Sequence, residues 1–227
     1  MSSTATSFIS YPGAIPGAIE DPLSLLPRAP VREFAAGTPI YRPEDRPDSL
    51  FLIIDGRVKV SRLAGESPET ILDFYHKDDF FGESAFLGAG RRGEQALALD
   101  RTSVMSWSAA ELSRLMTRSP ALGPALLRVV AEKLAEANDR IQGFCLDPIH
   151  RRLVKGLLHL ARRFGEPAEG SRLRLAPTTH EQLARYVGTS REIVTQSMNQ
   201  FRRQGLLDYS RRGVDVEVAA LEKYLRE

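Results

Sequence analysis

Cysteine, tryptophan and long apolar runs are nearly absent from this sequence. Of its 227 residues, one is cysteine, Cys145, and one is tryptophan. A single thiol excludes an internal disulfide framework and a four-thiolate metal or iron–sulfur centre. No run of about 18 apolar residues occurs, so no transmembrane helix is predicted. No apolar segment near the start has the pattern of a secretory signal. We therefore expect a cytoplasmic protein without a membrane partner.

Patterns typical of catalysis and metal binding are scarce as well. The four histidines are scattered along the chain without the spacing of metal ligands. No nucleophile–base pair and no cofactor motif stands out. We therefore expect no enzymatic activity, no catalytic residues and no metal site.

Charge is distributed unevenly, although the net charge is only +2. From Ile149 onward 15 basic residues stand against 9 acidic ones, whereas the preceding chain has 16 basic and 20 acidic residues. A basic final third on a mildly acidic body indicates that this third meets a polyanion.

The first half of the chain has the pattern of a small β-domain. Residues 1–21 are small, polar and rich in proline and glycine, which predicts a flexible arm. From 22 to 119, short apolar runs alternate with turn residues, which is typical of a barrel or sandwich. In "SLFLIIDGRVKVSRL", Asp55 and Gly56 separate two β-rich runs and predict a hairpin.

The hydrophobic period then changes to that of a helix. Apolar residues recur at steps of three and four from Pro120 onward, at Leu126, Val130, Leu134, Ala137, Ile141 and Phe144. A helix from Pro120 to Phe144 is about 36 Å long, too long for one small barrel to cover. We therefore predict a dimerisation helix over residues 120–147 that pairs with a second copy of itself.

The last segment, residues 148–227, has the pattern of a winged helix-turn-helix. Thr178 or Thr179 can cap a first helix, Gly188 ends it, and Ser190 can cap a second helix. The second helix presents Arg191, Glu192, Thr195, Gln196 and Asn199 outward, where they can contact base edges in the major groove. "GLLDYSRRGVDVEV" predicts a two-stranded wing whose tip contacts phosphates. The candidate DNA-binding residues are Thr179, Thr189, Ser190, Arg191, Glu192, Gln196, Arg211 and Arg212.

One further segment, "FFGESAFLGAGRRGEQA" from Phe80 to Ala96, combines glycines, a glutamate and two arginines. Glycine lets the backbone approach a ligand closely, and arginine is well shaped to bind phosphate. The glutamate would repel a phosphate, so it is expected to accept hydrogen bonds from another part of the same ligand. The combination indicates a small molecule with an anionic end and a hydroxyl-rich end.

These motifs resemble the CRP/FNR family of bacterial transcription regulators over roughly 31–227. The stretches "LFLIIDGRVKV", "FFGESA" and "GTSREIVTQ" carry the resemblance. It implies an α+β fold with a jelly-roll-like N-terminal β-roll as sensor domain, a long dimerisation helix and a C-terminal winged helix-turn-helix domain. It also implies a homodimer on an inverted-repeat operator in double-stranded DNA, with RNA polymerase as a further partner.

By the same resemblance, Phe80–Ala96 contains a phosphate-binding cassette. Glu83 would accept the ribose 2′-hydroxyl, Gly82 would present its backbone to the sugar, and Arg92 would hold the cyclic phosphate. The turn from Ser84 would add N–H groups that suit an anion, and Asn138 on the long helix would lie near the purine. The effector-binding residues implied in this way are Gly82, Glu83, Ser84, Arg92, Gly93 and Asn138.

Several residues depart from the family pattern. Glu94 adds a second carboxylate near the expected phosphate, Glu44 replaces a usual turn glycine, and Ala137 offers no hydroxyl to a base. Gln196 stands where many members have a second arginine. The possible effectors are cyclic AMP, cyclic GMP and cyclic di-GMP. Two alternatives stay open: a regulator of the same fold without an effector, controlled by its abundance, and a haem or redox sensor.

Overall fold

The computed structural model describes residues 19–64, 67–88 and 90–227, so most of the predicted N-terminal arm lies outside the described residues. The first half of the described chain is a β-roll, which a short helix, α1 (Pro22–Leu25), precedes. The strands of the roll are β1 (Val31–Phe34), β2 (Pro39–Tyr41), β3 (Ser49–Asp55), β4 (Val58–Ala64), β5 (Ser67–Tyr75), β6 (Phe80–Phe81), β7 (Gln95–Ala98) and β8 (Thr102–Ser108). A 3-10 helix, Glu83–Leu87, lies between β6 and β7.

Two antiparallel four-stranded sheets form the roll, in the orders β1-β8-β3-β6 and β2-β7-β4-β5. Alternate side chains of each sheet point between the sheets and fill the interior, among them Phe51, Ile53, Val58, Val60 and Phe81. The predicted hairpin at Asp55 and Gly56 is wrong, because β3 and β4 belong to different sheets. The turn carries the chain from one sheet to the other, and β4 pairs with β5 and β7.

Two helices follow the roll, α2 (Ala109–Arg118) and the long α3 (Leu122–Leu146). The first turns of α3 pack on the roll through Leu122, Ala125 and Leu126, which are all buried. Leu126 was predicted to begin the exposed apolar stripe, and this is wrong because its side chain belongs to the core. The stripe instead begins at Leu127 and continues through Leu134 and Ile141, whose side chains are all more than half exposed.

The C-terminal domain contains four helices and a small sheet. Its elements are α4 (Ile149–Phe164), β9 (Glu166–Pro167), β10 (Arg172–Leu175), α5 (His180–Val187), α6 (Arg191–Arg203), β11 (Leu207–Ser210), β12 (Gly213–Glu217) and α7 (Val218–Arg226). The wing was predicted with two strands, β11 and β12. The sheet has four strands in the order β11-β12-β10-β9, because β10 pairs with β12 along its whole length.

The C-terminal domain packs against the outer face of β5 in the roll. Ile71 and Phe74 of β5 belong to the same hydrophobic core as Tyr186 of α5, and the Phe74 and Tyr186 ring centroids are 5.4 Å apart. Arg185 of α5 donates to Glu69 at 3.0 Å. Because β5 faces the roll interior on its other side, one strand separates the sensor core from the helix-turn-helix. No helix among the described residues has the length and apolar character needed to cross a membrane.

Candidate effector and DNA sites

The cassette predicted from Phe80 to Ala96 is a turn built around Gly82. Gly82 has a φ of +85° and precedes the 3-10 helix that begins at Glu83. A Cβ atom at this position would lie 2.9 Å from the Phe51 ring and 3.2 Å from Nη1 of Arg92. Both the backbone conformation and this close approach require glycine. The turn thereby brings Glu83, Ser84 and Arg92 to one place.

Arg92 points into the roll, and its residue is only 3% exposed. Its Nη1 donates to Ser84 Oγ at 2.9 Å and its Nη2 donates to the Ser49 carbonyl at 2.8 Å. The guanidinium lies over the Tyr41 ring, 3.9 Å from its centroid, which is a favourable cation–π geometry. Ser84 also bonds to Glu94 Oε1 at 3.0 Å, so this second carboxylate faces the cassette.

Two buried polar atoms beside each other lack a hydrogen-bond partner among the described residues. They are the Arg92 Nε and the Tyr41 hydroxyl. Burial raises the pKa of Tyr41 above its ordinary value, so the hydroxyl keeps its proton. Buried polar groups are satisfied in most proteins. The Arg92 guanidinium also acts on the Tyr41 hydroxyl as a side-chain hydrogen-bond partner, so a polar ligand group would be favoured here only by the hydrogen-bonding capacity that this pair leaves unused.

Glu83 contacts α3 through a lysine that the sequence analysis did not identify. Lys133 Nζ donates to Glu83 Oε1 and to the Phe80 carbonyl. The same ammonium lies 4.2 Å from the Tyr75 ring centroid. One oxygen of the carboxylate expected to accept a ribose hydroxyl therefore already accepts from Lys133. One feature of the sequence could have identified this lysine. Lys133 lies one helical turn before Ala137, on the helix face that was expected near the purine.

The remaining predicted effector residues are less closely grouped. The Gly93 carbonyl accepts a hydrogen bond from Arg62 Nε at 3.2 Å, at the edge of the cassette. Asn138 is exposed on α3. A cleft of about 790 Å³ lies between Glu44, Arg91 and the start of α2, and Ala85, Gly88 and Gly90 of the cassette also line it. Glu83 and Arg92 do not line this cleft.

The structure also brings together three potential metal ligands that are far apart in the sequence. Asp73, Glu136 and His159 have ligand atoms within 4.8 Å of one another. The Arg163 guanidinium lies among them, 2.9 Å from Asp73 and 3.5 Å from Glu136. Because this cation pairs with both carboxylates and also with Asp79 at 3.1 Å, the cluster is an ion-pair network joining the roll, α3 and α4.

The helix-turn-helix is formed by α5 and α6. Thr179 caps α5 and forms a reciprocal pair of hydrogen bonds with Gln182, as in a capping box. Gly188 ends α5 with a φ of +68°, a left-handed conformation that glycine adopts without a steric cost. Ser190 Oγ then accepts from the Ile193 amide and caps α6. The two helices pack through apolar side chains that are all buried, namely Leu183, Ala184, Val187, Val194, Met198 and Phe201.

The outward face of α6 is divided into two groups. Arg191, Glu192 and Gln196 are exposed. Hydrogen bonds to its own backbone amide and to Ser190 lower the pKa of Glu192, so it is a carboxylate able to accept from a base amino group. Thr195 and Asn199 were expected on the same reading face. Their oxygens are instead engaged by His180 and Tyr209.

Thr189 and the wing arginines differ in their accessibility. The Thr189 Oγ1 atom is buried, so DNA cannot reach this hydroxyl in the structure. Arg211 and Arg212 are exposed in the two-residue loop between β11 and β12. The loop stands beside the start of α5, where Thr179 and Ser210 line a small cleft. The cationic tip is suited to phosphate contacts, and the three exposed α6 residues are suited to contacts with base edges.

Comparison with known proteins identifies both halves of the chain. The family model "Cyclic nucleotide-binding domain" matches residues 31–119, and "Crp-like helix-turn-helix domain" matches residues 151–224. A CRP-like cAMP-activated global transcriptional regulator of Mycobacterium tuberculosis is 31% identical over 76% of this chain and 77% of its own. The cyclic AMP receptor protein of Thermus thermophilus is 26% identical over 93% of each chain.

Solved structures share the fold at lower identity. The structure of FixK2 from Bradyrhizobium japonicum superposes with a TM-score of 0.75 at 22% identity. The match covers 86% of this chain and 96% of FixK2. The order of β-roll, long helix and helix-turn-helix is therefore shared, which confirms the fold expected from the sequence.

Proposed function

Because the chain belongs to the CRP/FNR family of DNA-binding transcription regulators, we propose that it is a homodimer that binds an inverted-repeat operator. We further propose that a cyclic nucleotide in the β-roll controls this binding. The observation that carries the proposal is the position of α3, which contacts the cassette through Lys133 and presents a free apolar stripe. One helix is thereby placed to link the effector to the dimer.

The apolar stripe on α3 supports the homodimer. Leu127, Leu134 and Ile141 are spaced by seven residues and are 68%, 61% and 58% exposed. A seven-residue apolar repeat on a long helix is the pattern of a coiled-coil seam. Exposure of three large aliphatic side chains in one row is unfavourable in water. A second copy of α3 is the partner whose shape and spacing match this row.

The DNA contacts follow from the exposed groups of the C-terminal domain. Arg191 can donate to guanine, Glu192 can accept from cytosine, and Gln196 can pair with adenine. Arg211 and Arg212 at the wing tip would contact phosphates, as would Thr179 and Ser190 at the N-caps of α5 and α6. A two-fold dimer would place its two α6 helices about one turn of DNA apart. RNA polymerase is a further partner in this proposal, in a cytoplasmic setting.

Cyclic AMP is the first effector to test, since two relatives are named for it. In the proposed complex the cyclic phosphate contacts Arg92 and Ser84, and the ribose hydroxyl takes the place of Lys133 on Glu83. Gly82 and Gly93 border the sugar and the phosphate, and Asn138 of α3 approaches the base. The two unsatisfied atoms, Arg92 Nε and the Tyr41 hydroxyl, support a polar ligand at this place.

A second candidate function is regulation without an effector. It is favoured by the protein contacts that the charged side chains of the cassette already make, since Arg92 bonds to Ser84 and Ser49 and Glu83 bonds to Lys133. The rings of Tyr41, Phe51 and Phe81 also stack within the roll at centroid distances of 5.1 to 6.0 Å. In that case the roll would act as a structural support, and the abundance of the protein would control transcription.

Calorimetric titration separates the two candidates. Cyclic AMP, cyclic GMP and cyclic di-GMP are titrated into the purified full-length protein, with and without operator DNA selected from a random pool. Saturable binding of one nucleotide that becomes tighter with operator supports the proposal, because linkage requires the two ligands to strengthen each other equally. Absence of binding by all three, together with unchanged operator affinity, supports the effector-free alternative.

A further inference from the structure

Two side chains outside the recognition helix are bonded to its outward face. His180, the first residue of α5, has its Nδ1 atom 2.9 Å from Thr195 Oγ1 on α6. Tyr209, on strand β11 of the wing, donates its hydroxyl to Asn199 Oδ1 at 2.9 Å. Thr195 and Asn199 are four residues apart and therefore occupy successive turns of the same helix face.

The two partners of α6 also contact each other. The His180 and Tyr209 ring centroids are 5.3 Å apart with an interplanar angle of 71°, an edge-to-face arrangement. The first helix and the wing therefore hold α6 at two points through one aromatic pair. We refer to His180, Tyr209, Thr195 and Asn199 together as the brace.

The direction of the bond between His180 and Thr195 depends on where Thr195 donates its proton. Thr195 Oγ1 lies 2.9 Å from the Arg191 carbonyl, which can only accept. With the Thr195 proton donated there, the imidazole donates to Thr195 from Nδ1. Burial, followed by the nearby Arg191 guanidinium, lowers the pKa of His180. The ring is thus neutral near pH 7, with Nδ1 as its donor.

We propose that His180 and Tyr209 are positioning residues that set the rotation of α6 about its axis and thereby the base selectivity of Gln196. Gln196 directly follows Thr195 on α6, and its side chain is exposed beside the brace. Since bidentate pairing with adenine depends on orientation, a small rotation of α6 would weaken selectivity there. This inference rests on the proposed DNA-binding function and adds residues that do not touch the bases.

The brace also restrains two side chains that could themselves contact bases. Its bonds orient the Thr195 hydroxyl toward His180 and Asn199 Oδ1 toward Tyr209, while the Asn199 amide nitrogen keeps its two donors. The side chains of Arg191, Glu192 and Gln196 are exposed and remain the main candidates for base contacts. Selectivity at the base contacted by Gln196 would accordingly depend on the hydrogen bond between His180 and the neighbouring Thr195.

The test begins with selection of binding sites from a random DNA pool by the wild-type protein. Fluorescence anisotropy then measures the affinity for the consensus, for each single base-pair change, and for unrelated DNA. We compare His180→Ala, Thr195→Val, the double variant and Tyr209→Phe. His180→Asn is the rescue variant, because its amide nitrogen lies close to the position of Nδ1 and can donate to Thr195. Arg211→Ala is the control for a phosphate contact.

We expect His180→Ala and Thr195→Val each to lower discrimination at the Gln196 position by about tenfold, within the range of one base contact. The double variant should lose no more than either single variant, since both remove the same bond. His180→Asn should restore discrimination, and Tyr209→Phe should show a smaller loss. Arg211→Ala should weaken binding to all sequences alike.

Different results would overturn the inference. Equal weakening on all DNA by His180→Ala, as for Arg211→Ala, would make His180 a phosphate contact. Additive losses in the double variant would show that the two side chains act separately, and failure of His180→Asn to rescue would exclude the donor role. If the wild-type protein selects no sequence at all, the proposed reading of DNA fails, and this inference fails with it.

Discussion

The cassette and the outward face of α6 differ in how far their polar side chains are bonded to the rest of the protein. In the cassette, Glu83 accepts from Lys133. Arg92 donates to Ser84 and to the Ser49 carbonyl. On α6, Arg191 and Gln196 are exposed, while the residues behind them are fixed by the brace. The side chains proposed to contact DNA are exposed, whereas the charged side chains of the cassette are bonded to other groups of the protein.

The difference indicates where rearrangement is required. In the proposed complex a nucleotide displaces Lys133 from Glu83, and this lysine is part of α3, which is also the proposed dimer helix. DNA requires no such exchange on α6. Any control of DNA binding by the effector would therefore act on the position of the C-terminal domain relative to its copy. Within one chain, the contact of β5 with α5 through Glu69 and Arg185 helps to hold the C-terminal domain against the roll.

Dimerisation is the feature whose loss should have the largest effect. Leu134→Glu places a charge in the exposed stripe of α3 and should produce monomers, which lose the second half-site. Operator affinity should fall by about 1,000-fold or more, toward that for unrelated DNA. Sedimentation velocity and anisotropy measure the two effects. The control Gln142→Glu adds the same charge at an exposed position off the stripe and should change neither the oligomeric state nor the operator affinity. Dimers in the Leu134→Glu variant would disprove this role of the stripe.

Arg92→Ala should have the next largest effect, confined to the effector site. Loss of a charged hydrogen-bonding group should weaken cyclic nucleotide binding by about 2–3 kcal/mol. Calorimetry measures this affinity, and a thermal melt monitors folding because Arg92 is buried. Arg91→Ala is the matched control, since its side chain is exposed and pairs with Glu44 outside the roll. Equal affinity in Arg92→Ala and wild type would place the phosphate elsewhere.

Gln196→Arg should change which base the DNA surface prefers. Arginine offers guanine two donors, whereas glutamine pairs best with adenine, so preference should shift toward guanine at one position per half-site. The expected shift is about 1–3 kcal/mol at that position, with the others unchanged. Selection from a random pool with both proteins gives the comparison. A consensus that is indifferent to residue 196, or one without two-fold symmetry, would refute the proposed orientation of α6.

Lys133→Met should produce the smallest change, in the opposite direction to Arg92→Ala. Removing the ammonium frees Glu83 for the ribose, and cyclic nucleotide affinity should rise by about 1 kcal/mol, the order of a partly exposed ion pair. Lys133→Arg keeps the ion pair and should leave affinity close to that of wild type. Weaker binding by Lys133→Met in calorimetry would mean that the lysine contacts the ligand itself.

Local patterns in the sequence predicted the order of the elements and most of the recognition helix. The change of period near Pro120 identified α3, and the spacing of caps and apolar residues identified α5 and α6, because these signals depend on neighbours in the chain. The pairing of β3 and β4 was mispredicted at Asp55 and Gly56, since a turn signal does not specify the sheet to which the next strand belongs.

Contacts between distant residues accounted for the other differences. Lys133 and Glu83 are 50 residues apart, and no local pattern joins them. Thr195 and Asn199 had the polarity and spacing of base-reading residues, but His180 and Tyr209 engage them from other elements. Leu126 fits the apolar stripe by spacing alone, and only the packing of α3 on the roll makes it a core residue.

The kinetics of cyclic AMP binding test most directly whether the effector site is closed by Lys133. In stopped-flow experiments under excess nucleotide, a site that must open first gives an observed rate that levels off as the concentration rises. We expect such a plateau for the wild-type protein and a higher plateau for Lys133→Met. A rate that rises linearly and is equal in the two proteins, or the absence of any binding, would contradict the account.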